Sequence, residues 1–171
     1  MWEKLFELAL FVRSGARHRK PSEILKTFIK IPDAQQEKLS KQEKQKLTQA
    51  FTFLENAYKK SLAESRLATD QTHFYTLATS LLTGELLASF DVDVLTRKLI
   101  NFGKILDGKT PVPSDEELAQ SIKRYQALSK EKTTDATRRE ERQQEFIHIV
   151  TVLPGTEQNA QQIPLLGTNG C

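Results

Sequence analysis

The sequence predicts an all-α protein, an irregular bundle of about six or seven helices followed by a disordered C-terminal tail. Three observations carry this. Apolar residues recur at spacings of three and four along most of the chain, helix-capping signals stand at the points where those stripes begin, and no stretch alternates in the two-residue rhythm of a strand. With 171 residues, of which 38% are apolar and 27% charged, the chain can bury one core. The expected organisation is a single helical domain over 1–153 and a flexible tail over 154–171.

The first helix carries Trp2, Leu5, Phe6, Ala9 and Val12 on one side, and Leu8, Leu10 and Phe11 fill much of the rest of its circumference. A helix apolar nearly all round expects cover on more than one side. Trp2, Phe6, Leu8, Leu10 and Phe11 are therefore candidates for a partner interface, either with another protein or in a homo-oligomer. Pro21-Ser22-Glu23 opens a second, short helix with Ile24, Leu25, Phe28 and Ile29 as its stripe, stopped by Pro32. The third begins at the capping box Ser40-Lys41-Gln42-Glu43, and its expected core face is Leu47, Phe51, Leu54, Tyr58 and Leu62.

Asp70 is placed to cap a fourth helix with Phe74, Leu77, Ala78, Leu81 and Leu82 facing inward as far as Gly84. Asp91 or Asp93 starts the next, whose stripe is Leu95, Leu99, Phe102 and Leu106 and whose stop is Gly108. Pro111 and Pro113 form a rigid connector. Ser114-Asp115-Glu116-Glu117 reads as a second capping box, leading into Leu118, Ile122, Tyr125 and Leu128. A final helix starts near Asp135 and buries Phe146, Ile149 or Val150, and Leu153; beyond Pro154 the composition turns to Gly, Gln, Asn and Thr.

Charge and cysteine content narrow the function classes. The net charge is only +3, yet residues 1–66 hold 14 Lys and Arg against 8 Asp and Glu, while the remainder is net acidic. The surplus peaks in the loop carrying Arg13, Arg17, Arg19 and Lys20, which has no acidic neighbours and is a candidate phosphate-contacting segment. Arg138, Arg139 and Arg142 form a second basic cluster. Guanidinium groups there could grip phosphates, but Glu140, Glu141 and Glu145 interleave with them, so a solvated face with local ion pairs is the blander reading. One cysteine, Cys171, excludes an intrachain disulfide and suits a reducing cytoplasm. No apolar run approaches the roughly 20 residues of a membrane span.

Gly103-Lys104-Ile105-Leu106-Asp107-Gly108-Lys109-Thr110 matches the nucleotide-binding pattern G-x-x-x-x-G-K-[ST] letter for letter. Phosphate cradling needs a strand before that loop and a helix N-terminus after it. Here the pattern closes an amphipathic helix and runs into two prolines, so it reads as a glycine helix stop and a turn. The three histidines are scattered, with His73 in a first helical turn, and none has a ligand partner at metal-binding spacing. Phe74, Tyr75 and Tyr125 read as packing aromatics.

Taken together, His73-Phe74-Tyr75-Thr76-Leu77, the stop at Asp107-Gly108, the helix with Tyr125, and Asp135-Ala136-Thr137-Arg138-Arg139-Glu140-Glu141-Arg142 follow one another in a suggestive order. The stretch from Arg66 to Val150 resembles the helical C-terminal region of the DGQQR-motif restriction proteins, whose first half is a ParB/sulfiredoxin-like nucleotide-processing domain. No Asp-Gly-Gln-Gln-Arg occurs here. The resemblance implies a non-catalytic helical module of a modification-dependent DNA restriction or defence system, without cofactors of its own. A ParB-like domain, an HNH-type nuclease and DNA are the implied partners. The alternative reading is a helical protein-protein adaptor with no nucleic-acid role.

Overall fold

The computed structural model describes residues 7–9, 11–13, 15, 39–130 and 135–155. These are helical throughout their regular parts, with no strand among them. Residues 7–9 and 11–13 are helical. Seven further α-helices follow: α1 Lys41–Tyr58, α2 Arg66–Thr69, α3 Gln71–Leu82, α4 Glu85–Ser89, α5 Val92–Leu106, α6 Glu116–Lys130 and α7 Ala136–Val152, with a 3-10 turn at Leu62–Glu64 between α1 and α2. The short helix expected after Pro21 and the tail beyond Gly155 lie outside the described residues.

Most helix starts are where side-chain chemistry places them. Ser40 and Glu43 satisfy each other's backbone donors at the start of α1. Asp70 accepts from Thr72 and His73 at α3, Asp91 from Asp93 at α5, and Asp135 from Thr137 and Arg138 at α7. Before α6 the cap is Asp115, which accepts from the Leu118 amide at 2.8 Å, and not the box expected from Ser114. A carboxylate one residue nearer the helix shifts the cap from the Glu117 amide that Ser114 would take to the Leu118 amide, and it accepts there with a full charge.

α3 organises the bundle. It packs against α1, α2, α4 and α7, and nine of its twelve residues are buried, including His73, Thr76, Thr79 and Ser80. Hydroxyls are tolerated there because they donate to their own helix: Thr76 to Thr72 O, Thr79 to Tyr75 O and Ser80 to Thr76 O, at 2.7–3.0 Å. α6 and α7 pair extensively, and α7 also lies along α3 and α5. Where α5, α6 and α7 meet, the rings of Phe102, Tyr125 and Phe146 sit 5.2–6.0 Å apart in edge and tilted geometries. Leu95, Leu99 and Phe102 of the expected α5 stripe are fully buried, as are Phe146, Ile149, Val150 and Leu153 at the end of the chain's last described helix.

The core face of α1 differs from the expected one. Ala50, Phe53, Leu54 and Ala57 are buried, whereas Phe51 is 39% exposed, and Leu62 belongs to the 3-10 turn beyond the helix. Ala50 and Ala57 complete one face with Phe53 and Leu54, and Phe51 lies about 100° round the helix from Ala50, off that face. At the far end, Lys98 of α5 donates to the carbonyls of Thr151 and Leu153 at 2.9 and 2.5 Å and sits 4.8 Å from the centre of the Phe90 ring. The ammonium satisfies the last carbonyls of α7, where a cation is favoured by the helix dipole, although burial pulls its pKa down.

Candidate functional site

The most elaborate polar chemistry of the described chain is interior. Asp70 sets the first turn of α3 so that His73 faces α6, and there Nδ1 meets the Tyr125 hydroxyl at 2.8 Å while the two rings stack with centroids 5.4 Å apart. One turn on, the Thr76 hydroxyl accepts from Arg142 Nε at 2.8 Å. A second donor of the same guanidinium, Nη1, reaches the Leu128 carbonyl at 3.3 Å. Arg139 lies one turn before Arg142 on α7, with its guanidinium 4.3 Å from the centre of the Tyr75 ring and Nη1 3.4 Å from Glu7 Oε2. The aromatic-led motif, the later tyrosine and the arginine helix thus form one connected layer.

Burial dominates the electrostatics of this layer. It lowers the His73 pKa, an effect opposed by Asp70 and Asp107 and reinforced by Arg66 and Arg142. It raises that of Tyr125, which stays protonated at neutral pH, and it draws the Arg142 guanidinium down from its usual value. Each group is polar, enclosed and engaged by a neighbour, an arrangement that fixes helix register.

The expectation that Arg139 and Arg142 lie on a solvated face, available to phosphate, is therefore corrected. They are 4% and 1% exposed, because the α7 side that carries them is the side pressed on α3 and α6. Arg138, on the flank, is half-buried. Of the basic loop, Arg13 is half-buried and pairs with Glu43 at 3.2 Å, while Arg17, Arg19 and Lys20 lie outside the described residues. The apolar N-terminal helix divides in the same way. Leu8 and Phe11 are 2% and 7% exposed and belong to the core, which corrects their assignment to a partner interface; Trp2, Phe6 and Leu10 lie outside the described residues.

The nucleotide-like stretch has a complete structural explanation. Lys109 N–H bonds to Lys104 O at 2.8 Å and Gly108 N–H to Ile105 O at 3.0 Å, the paired bonds that close a helix through a left-handed residue, here Gly108 at φ +71. The carbonyl end of α5, with its negative potential, faces the loop. Gly103 is needed for a different reason: a Cβ there would come within 2.8 Å of Ser65 Cβ. Lys109 pairs with Asp107 at 3.1 Å.

Two surface features complete the picture. A groove of about 520 Å³ runs between α1 and the α4–α5 junction, with Thr48, Gln49, Thr52 and Asn56 on one wall and Leu87, Ala88 and Val92 on the other. A smaller one, about 360 Å³, follows the α6–α7 seam past Glu117, Arg124, Glu145 and His148. Among the described residues no group of three or more His, Cys, Asp and Glu is arranged to hold a metal, and no helix is long and apolar enough to cross a membrane.

The buried layer was out of reach of sequence reasoning, since Thr76 and Arg142 are 66 positions apart. A signal existed in retrospect: the hydroxyl-rich α3, with no charged residue after its cap, is the composition of an enclosed helix. The chain is an all-α bundle; compared with models of protein families, with curated proteins and with solved structures, it matches none.

Proposed function

We propose that this chain is a non-catalytic helical module of a modification-dependent DNA restriction or defence system, and that it touches DNA through a basic surface at the start of α1. The observation that carries the reading is the Arg13–Glu43 ion pair. It brings the beginning of the basic segment, whose Arg17, Arg19 and Lys20 follow within seven residues, against the helix turns that expose Lys41, Lys44 and Lys46. Glu43 offsets Arg13 within this cluster, and the surplus of lysines and arginines around the pair raises affinity for a polyanion and steers its approach. Support for the restriction context comes from three of its scaffold positions, Tyr75, Tyr125 and Arg142, which lie in one layer, while Arg138, the other arginine of that signature, is half-buried on the flank.

Duplex retardation tests this. The wild-type chain should shift duplex DNA at low salt, and Arg17→Glu with Arg19→Glu should flatten the plot of log affinity against log salt by about 0.9 units per lost phosphate contact. No retardation by the wild type even at low salt would remove the reading.

The groove between α1 and α4 favours a second reading, a protein-protein adaptor. Its apolar wall, with Val92 51% exposed, offers an amphipathic segment a place to dock. A chain that ignores DNA and captures a ParB-like domain or HNH-type nuclease, losing it on Val92→Asp, would follow this second course.

A further inference from the structure

We infer that the groove between α1 and the α4–α5 junction is the docking site of the chain's own C-terminal segment Ile163-Pro164-Leu165-Leu166, an inference independent of the DNA-contacting role proposed above. None of the nine residues that line the groove is charged, although 27% of the chain is. Leu87, Ala88 and Val92 make one wall apolar, and Phe53, which also lines the groove, adds to the apolar surface. The facing wall, with Thr48, Gln49, Thr52 and Asn56, carries only neutral amides and hydroxyls.

An occupant that suits both walls is uncharged, with apolar side chains for the one and backbone groups to be satisfied by the other. Residues 156–171 hold one charge, Glu157, and one apolar run, Ile163 to Leu166. Pro164 biases Ile163 toward extended backbone, which leaves peptide groups in need of outside partners. The amides of Gln49 and Asn56 and the hydroxyls of Thr48 and Thr52 can both donate and accept.

The end of α7 delivers the chain to this groove. Lys98 donates to the Thr151 carbonyl at 2.9 Å and lies 4.8 Å from the centre of the Phe90 ring. Asn101 Nδ2 donates to the Pro154 carbonyl at 3.3 Å, and a Cβ on Gly155 would stand 3.8 Å from Lys98 Cγ. The chain thus leaves the fold along α5, beside Phe90, which joins α4 to α5 two positions before Val92 of the groove. Eight positions separate Gly155 from Ile163. A tether of that length reaches about 26–29 Å at full extension and has a root-mean-square span of about 16 Å. It holds the segment at roughly millimolar local concentration, so weak contacts suffice to seat it. A partner using the groove must then displace the chain's own segment, which lowers that partner's apparent affinity.

Cys171, the single cysteine, stands five positions beyond Leu166, so a nitroxide attached there in the full chain senses where the segment rests. The amide signals of Thr52, Leu87 and Ala88 should be lost to paramagnetic broadening and return when the nitroxide is reduced. Leu165→Asp with Leu166→Asp, its helicity checked by circular dichroism, should restore them without reduction. Val92→Asp should do the same from the groove side, at a 51% exposed position. Broadening that persists in both variants, or that falls elsewhere on the surface, overturns the assignment. So does broadening of an isotope-labelled chain without nitroxide when a nitroxide-carrying chain is mixed in, because the segment then docks on a second copy.

Discussion

Arg142 Nε donates to the Thr76 hydroxyl at 2.8 Å from a side chain that is 1% exposed, and the same hydroxyl donates onward to the Thr72 carbonyl at 3.0 Å. The enclosed guanidinium is held by two acceptors from different helices, the Thr76 hydroxyl on Nε and the Leu128 carbonyl on Nη1. Thr76→Val keeps the shape but removes one acceptor of a buried cation, and should cost about 2 kcal/mol in urea unfolding. Arg142→Lys should cost at least as much, since a compact ammonium lacks the spread, planar fork whose Nε and Nη1 point to Thr76 and to the Leu128 carbonyl. Additive losses in the double variant would show that the two residues are not coupled.

The burial of His73 makes stability sensitive to acid. Burial holds the folded-state pKa of His73 below its unfolded value, with Arg66 and Arg142 disfavouring its proton and Asp70 and Asp107 favouring it. Above the unfolded pKa, near 6.5, the ring is neutral in both states and this source of stability is complete. As the pH falls below it, the unfolded chain takes up the proton first and stability declines, by up to about 1.4 kcal/mol per pH unit, until the folded-state pKa is passed. Urea midpoints measured from pH 7.5 to 5 should fall for the wild type and fall less steeply for His73→Gln. Parallel slopes would assign the acid sensitivity elsewhere.

Each glycine of the nucleotide-like stretch should respond according to its geometry. Gly103→Ala drives a methyl against Ser65 and should cost roughly 1–3 kcal/mol. Gly108→Ala meets open space but must hold a left-handed conformation, at about 1 kcal/mol. Lys109→Ala, at a mostly exposed side chain, should leave the melting temperature unchanged with or without ATP. A nucleotide-dependent rise in melting temperature that this last substitution abolishes would contradict the helix-stop reading.

Leu8→Glu and Phe11→Glu should unfold or severely destabilise the chain, because both side chains belong to the core. Phe51→Glu, at a 39% exposed position, should not. Light scattering alongside circular dichroism separates the cases: if Leu8→Glu kept full helicity and merely halved the particle mass, the N-terminal helix would be an interface after all.

How far the sequence was readable follows from the range of the forces involved. Ser40, Asp70, Asp91, Asp135 and Gly108 act on amides and carbonyls within a few residues, and each helix end they mark is where local chemistry puts it. The Leu95–Leu99–Phe102–Leu106 stripe was equally plain, since large residues dominate it. Alanine contributes little to a periodic pattern, which is why the α1 face was drawn through Phe51 instead of Ala50 and Ala57. Arg139 and Arg142 were placed in solvent for a related reason. Their glutamate neighbours argue for an exposed face, and only the contacts with Glu7, Tyr75 and Thr76, on distant parts of the chain, argue otherwise.

The 66-residue separation of Thr76 and Arg142 also orders events during synthesis. At about 5–20 residues per second, α3 leaves the ribosome roughly 3–13 s before the arginine that completes its polar side. During that interval α1, α2, α4 and α5 can dock on α3 through apolar contacts, but the side destined for α7 faces water, where its hydroxyls and imidazole are well solvated. A purely hydrophobic α3 would expose a sticky surface over the same seconds. The polar layer therefore gives α3 a side that water can solvate until α7 arrives to close it.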